Sequence, residues 1–148
     1  SWQPFTYWKQ AHSFDFNESW FHAPSGLPKE LFEQSVDQYC QNIRKLEELT
    51  VEIVTLLTRV KPRDALVATE LRCGLEGALA LEASAACLLA QHGSPEELAQ
   101  APSGTEVAAR LRSAMLSLKE VWLLRNKPSE FWRVEEVAEA MIEAFQVT

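Results

Sequence analysis

Positions that can form a buried seam recur at Phe32, Val36, Tyr39, Ile43, Leu46, Thr50, Ile53, Leu57 and Val60, in alternating steps of four and three. That period belongs to a helix, because residues three and four apart return to the same side of a 3.6-residue turn. Pro28 suits a first helical turn, and Lys61-Pro62 cannot continue one. The spacing therefore predicts one long helix with a narrow seam, about 50 Å from end to end at 1.5 Å per residue. One short partner cannot bury a seam of that length, so the helix is expected to be the spine of an antiparallel bundle.

The rest of the chain supplies the other members. A second helix is expected from a cap at Asp64 to about Gln91, ended by His92-Gly93. Its stretch from Gly77 to Ala86 is crowded with small side chains, which lets another backbone come close. Ser94-Pro95-Glu96-Glu97 reads as a capping box opening a short helix to about Gln100, followed by a loop over 101–104. Thr105 is the expected cap of a fourth helix with Val107, Leu111, Met115, Leu118, Trp122 and Leu123 on its apolar face. Ser129 is the expected cap of a fifth, carrying Phe131, Val134, Val137, Ala138, Met141 and Phe145. No stretch alternates convincingly enough for a strand. The fold expected for residues 27–148 is all-α: an antiparallel bundle of four main helices plus a short one.

Residues 1–26 differ in kind. Eight aromatic residues, Trp2, Trp8 and Trp20 among them, fall within the first 21 positions, and Pro4 and Pro24-Ser25-Gly26 interrupt any long helix. An extended aromatic segment is expected. Its rings either pack across the bundle or belong against a neighbouring domain, because leaving them in water is costly. Opening on Ser rather than Met, the sequence reads as part of a longer or processed protein.

Charge and chemistry narrow the function. With 14 basic and 21 acidic residues the net charge is −7, which argues against a phosphate-tracking surface and so against a nucleic-acid partner. No continuous apolar run reaches the length of a membrane span, so no membrane is expected as a partner. Cys40, Cys73 and Cys87 are odd in number and form no Cys-x-x-Cys pair, which fits inert core thiols in a reducing, cytoplasmic setting. His12, Asp15, Glu18 and His22 are metal-ligand types within eleven residues, but interleaved aromatics favour a polar face over a metal site. The adjacent pairs Glu47-Glu48, Glu96-Glu97 and Glu135-Glu136 point about 100° apart on a helix and cannot converge as acid and base. No nucleophile motif or phosphate-cradling loop is present, so neither a catalytic set nor a cofactor is expected from these residues.

One dense feature remains. In Trp122-Leu123-Leu124-Arg125-Asn126-Lys127-Pro128 a bulky aromatic leads straight into a charged corner. The plain account is a helix end with a buried Trp anchor; the other is that Arg125, Asn126 and Lys127 offer donors to a partner. This corner resembles one in the all-helical domain that follows the catalytic barrel in many bacterial β-N-acetylhexosaminidases of glycoside hydrolase family 20. Trp122, Leu123, Asn126, Lys127 and Pro128 match, and the helix opening at Glu70-Leu71-Arg72 is similar in placement, so the likeness spans roughly residues 66–146. Ser129-Glu130 stands where that family usually has Phe-Gly. The resemblance implies a non-catalytic accessory or dimerisation domain of a glycoside hydrolase, with no active-site residue of its own. Its partner would be a neighbouring catalytic domain or a second subunit, met through Trp2, Trp8, Trp20 and the Trp122–Lys127 corner. Two other classes compete: a free-standing bundle that takes a partner helix in a groove, and a sugar-binding module that stacks aromatic rings on a carbohydrate.

Overall fold

The computed structural model describes residues 33–59, 65–125 and 128–146. The aromatic segment 1–26, with Trp2, Trp8, Trp20 and the His12, Asp15, Glu18, His22 group, lies outside the described residues. The fold is all-α, and no strand occurs among the described residues. Helix α1 spans Val36–Leu57, α2 Ala65–Ala90, α3 Pro95–Gln100, α4 Gly104–Arg125 and α5 Trp132–Gln146, with a 3-10 turn at Pro128–Glu130.

Helix α1 is shorter than the sequence suggests because its start is set by a cap. Ser35 has extended backbone, its hydroxyl accepts the Gln38 N–H, and the Gln38 side chain accepts the Ser35 N–H at 2.8 Å. This reciprocal box satisfies two of the orphan donors at the helix start. The helix therefore does not run through from Pro28. At its other end it stops at Leu57, where Thr58 and Arg59 form a turn before Lys61-Pro62 is reached. Its 22 residues make about 33 Å, not 50 Å. Val36, Tyr39 and Ile43 are buried and Leu46 packs against them, while Thr50, Ile53 and Leu57 are only half-buried. Thr50 tolerates its seam position by donating its hydroxyl to the Leu46 carbonyl at 2.6 Å.

Helix α2 is the central element, packed against α1 on one side and α4 on the other. Ala80, Ala83, Ser84, Ala85 and Ala86 are all buried, as the small-residue composition requires. Ser84, the one buried polar residue among them, donates to the Ala80 carbonyl at 2.7 Å. Gly77 does not share this role: a Cβ there, or at Gly74, would meet nothing within 4 Å. By length and composition α2 is also long and apolar enough to cross a membrane, which counting continuous apolar runs did not reveal. Its apolar C-terminal half forms the centre of the core.

Two further starts differ from expectation. Ser103, not Thr105, caps α4: its carbonyl accepts the Val107 N–H at 3.0 Å, and it forms a reciprocal box with Glu106. Ser129 lies inside the 3-10 turn, so α5 begins three residues later, with the Phe131 carbonyl accepting the Glu135 N–H at 3.1 Å. Helix α3 keeps its predicted cap, with the Glu97 N–H donating to Ser94 Oγ at 3.2 Å.

Helix α4 packs on α5, and α3 tucks against α1 and α2. Asp37 of α1 accepts the Gln100 side chain at 2.9 Å, and Cys40 donates its thiol to the Gln100 carbonyl. Across the antiparallel pairs, Asn42 meets Glu82, Ser117 meets Glu76, and Lys119 pairs with Glu135. These contacts place the ends of α1 and α4 and the starts of α2 and α5 at one end of the bundle. The core lies toward the other end. It joins Val36, Ile43, Leu79, Val107, Leu111 and Phe145 with their neighbours.

Candidate interaction surface at the open end of the bundle

Where the core thins, apolar side chains turn outward. Eleven large apolar residues are exposed among the described residues, and ten of them sit at the α1-end, α2-start, α4-end, α5-start side; only Leu98 lies elsewhere. A soluble surface scatters such residues singly, so a cluster at one end marks a contact surface. Two parts can be told apart by helical register. Leu49 and Leu56 share one flank of α1, and Val67 and Leu71 share one flank of α2. On the other side Leu116 and Leu123 share a flank of α4, beside Leu124 at 63% exposure and Trp132 at 54%.

The Trp122–Pro128 corner sits at this second part. Trp122 is half-buried, with its ring 5.9 Å from Phe131 at a tilt of 53°, so it anchors α4 to α5. The Lys119 ammonium lies 5.9 Å over the same Phe131 ring. Leu123, which the sequence places on the apolar face of α4, is instead exposed. Trp132 is exposed as well, with the adjacent Arg133 guanidinium 5.4 Å from its ring. The Arg125 side chain and all of Asn126 and Lys127 lie outside the described residues. The structure thus supplies an apolar surface here, and the polar donors expected of the corner are not part of what it describes.

One member of each adjacent carboxylate pair is engaged by the scaffold's own side chains or caps: Glu47, Glu97 and Glu135. Glu47 accepts from Arg110 at 2.6 Å, and Glu135 is the ion-pair partner of Lys119. Glu97 lies in the α3 cap. Among the described residues no three His, Cys, Asp or Glu side chains gather as a metal-holding group. All three thiols are pushed above the usual cysteine range, by burial first in each case. The Glu76 and Glu70 carboxylates add to this at Cys73, and Arg44 and Gln91 offset it in part at Cys40 and Cys87. A raised pKa keeps a thiol protonated and poorly nucleophilic.

Sequence reasoning missed most of the exposed set. A signal was present in Thr50-Val51-Glu52-Ile53-Val54-Thr55-Leu56-Leu57, where apolar residues occupy both the seam and positions off it. A helix apolar on more than one face has more than one surface to cover. No family model, curated protein or solved structure matches the chain.

Proposed function

We propose that this chain is a non-catalytic helical accessory or dimerisation module that holds a neighbouring domain through the apolar corner of α4 and α5. The observation that carries the proposal is the concentration of exposed apolar side chains at one end, with Leu116, Leu123, Leu124 and Trp132 flanking the corner. The neighbour in this reading is the catalytic barrel of a β-N-acetylhexosaminidase-type glycoside hydrolase, supported by the resemblance of Trp122, Leu123, Asn126, Lys127 and Pro128 to the corner of the family 20 helical domain.

The test is isothermal titration of the full chain with the barrel of a family 20 enzyme whose own helical domain carries the same corner. The wild-type chain binds, and Leu123→Glu with Leu124→Glu weakens binding on the order of tenfold or more, since carboxylates buried without partners cost well over about 1.4 kcal/mol. Absence of binding, or equal affinity for the two proteins, contradicts the proposal. A second reading draws on Leu49, Leu56, Val67 and Leu71: a free-standing bundle that takes an amphipathic partner helix along this strip. Titration with amphipathic peptides, followed by Trp fluorescence, separates the two.

A further inference from the structure

The outer crevice between α4 and α5 is lined by two kinds of side chain, and one ion pair fixes which they are. Lys119 of α4 pairs with Glu135 of α5. Leu116 precedes Lys119 by three residues and Leu123 follows it by four, so both stand on the α5 side of α4. Trp132 and Glu139 stand three before and four after Glu135, on the α4 side of α5. The two helices are antiparallel, so Leu123 and Trp132 lie at the corner, while Leu116 and Glu139 lie about two turns away from it. Leu116, Leu123 and Trp132 are all exposed.

Carboxylates border these apolar groups. Glu120 stands between Leu116 and Leu123 on α4, and Glu136, Glu139 and Glu143 follow Trp132 at four, seven and eleven residues along one exposed stripe of α5. Two features make the stripe costly to the chain on its own. Glu139 and Glu143 are four apart, the spacing at which like charges on a helix repel. Glu143 also lies in the last turn of α5, at the negative end of the helix dipole, and that turn holds no basic residue. Among the described residues neither Glu139 nor Glu143 has an ion-pair partner. Of the cations nearby, Lys119 is held by Glu135 and Arg133 lies beside the Trp132 ring. Arg112 stands on the same flank of α4, two turns before Lys119, and Arg125 and Lys127 belong by sequence to the corner. Helix α5 itself sets Arg133 against Glu135, Glu136, Glu139 and Glu143, so the stripe leading away from Trp132 is negative.

We infer that the outer α4–α5 crevice receives a basic amphipathic helix of the partner. Its apolar side covers Leu116, Leu123 and Trp132, and its Lys or Arg side chains meet Glu120, Glu139 and Glu143. Charge selects this occupant over the others. A second copy meeting the face by a two-fold through the stripe would set Glu139 and Glu143 against the same carboxylates, and nucleic acid or an anionic lipid surface would be repelled by them. The contact at Glu139 and Glu143 is between side chains, so protection of backbone amides stays centred on the apolar end. This inference rests on the reading of the α4–α5 corner as a docking surface, and adds the chemistry of what docks there.

The test titrates the full chain calorimetrically with a synthetic amphipathic helix of about 14 leucines and lysines, about 21 Å long, and with its twin carrying Glu for every Lys. The Leu/Lys peptide is expected to bind, more weakly as salt rises, and the Leu/Glu peptide not to bind. Glu139→Lys with Glu143→Lys weakens binding about tenfold or more and, by relieving the repulsion and complementing the dipole, raises the urea midpoint of the free chain. Trp132→Ala weakens binding as well. Glu48→Lys with Glu52→Lys makes the same change of net charge on exposed positions of α1 and leaves the affinity within about twofold, because distant surface charges are screened. The inference is overturned if the Leu/Lys peptide does not bind, if the Leu/Glu twin binds equally, if both charge reversals cost the same, or if the midpoint does not rise. The barrel titration keeps this result apart from the docking reading. A barrel lost on Leu123→Glu with Leu124→Glu but indifferent to Glu139→Lys with Glu143→Lys keeps the docking surface and rejects the basic helix. A barrel that does not bind, with the peptide results as expected, rejects the barrel and keeps the basic helix.

Discussion

Ser103 and Glu106 show how a single cap fixes an element and ties it to pH. The Ser103 N–H donates to Glu106 Oε2 at 2.7 Å while the Glu106 N–H donates to Ser103 Oγ at 3.2 Å. The bond from the Ser103 backbone, then that from its side chain, hold the Glu106 carboxyl below the usual glutamate range, with Arg110 adding to the effect and burial opposing it. Because the folded pKa is lowered, the stabilisation is whole above the unfolded pKa and is lost as pH falls through the folded value. Glu106→Gln is therefore expected to cost about 0.5 kcal/mol at neutral pH, with the difference vanishing in acid when urea midpoints are compared across pH. A difference independent of pH contradicts this. The same residues explain a misplaced boundary. Thr105 sits directly before the apolar face and looks like a cap, but the Ser-x-x-Glu spacing that satisfies two donors at once begins at Ser103.

At the scale of elements, sequence period located every main helix and gave their order, because core-facing positions must recur every three or four residues. What it could not give was where each helix begins and which half of it is buried. The seam of α1 is continuous in sequence, yet only its first half is fully buried, since depth depends on neighbours that periodicity does not name. Helix α2 makes the same point from composition. Its alanines pack as expected, but Gly77 at the start of the small-residue stretch, and Gly74 three residues before it, face open space. Glycine in a helix interior without a close neighbour only adds backbone entropy to the unfolded state. Gly77→Ala is accordingly expected to stabilise the chain by about 0.5–1 kcal/mol, read as a raised urea midpoint with an unchanged slope. A lowered midpoint means that another backbone does approach there.

For the whole molecule, the feature that matters is polarity: a core at one end, exposed apolar residues at the other. This was not legible in the sequence, because seam positions and outward positions in residues 49–57 carry the same residue types and only the packing distinguishes them. The acidic balance and the aromatic segment were legible from composition, but neither locates a surface. The corner at Trp122 was found by its density, and the structure divides it into an anchor, Trp122 on Phe131, and an outward apolar group, Leu123, Leu124 and Trp132. Local stability should follow the same division, with the slowest amide exchange where buried contacts are densest and faster exchange toward the open end.

Hydrogen exchange of the full chain, measured free and with the family 20 barrel at saturation, tests the docking surface most directly. Protection confined to the end of α4 and the start of α5, residues 116–125 and 131–134, is the result expected. Protection centred on the α1, α3 and α5 residues at the opposite end, or none at saturating barrel, contradicts the account.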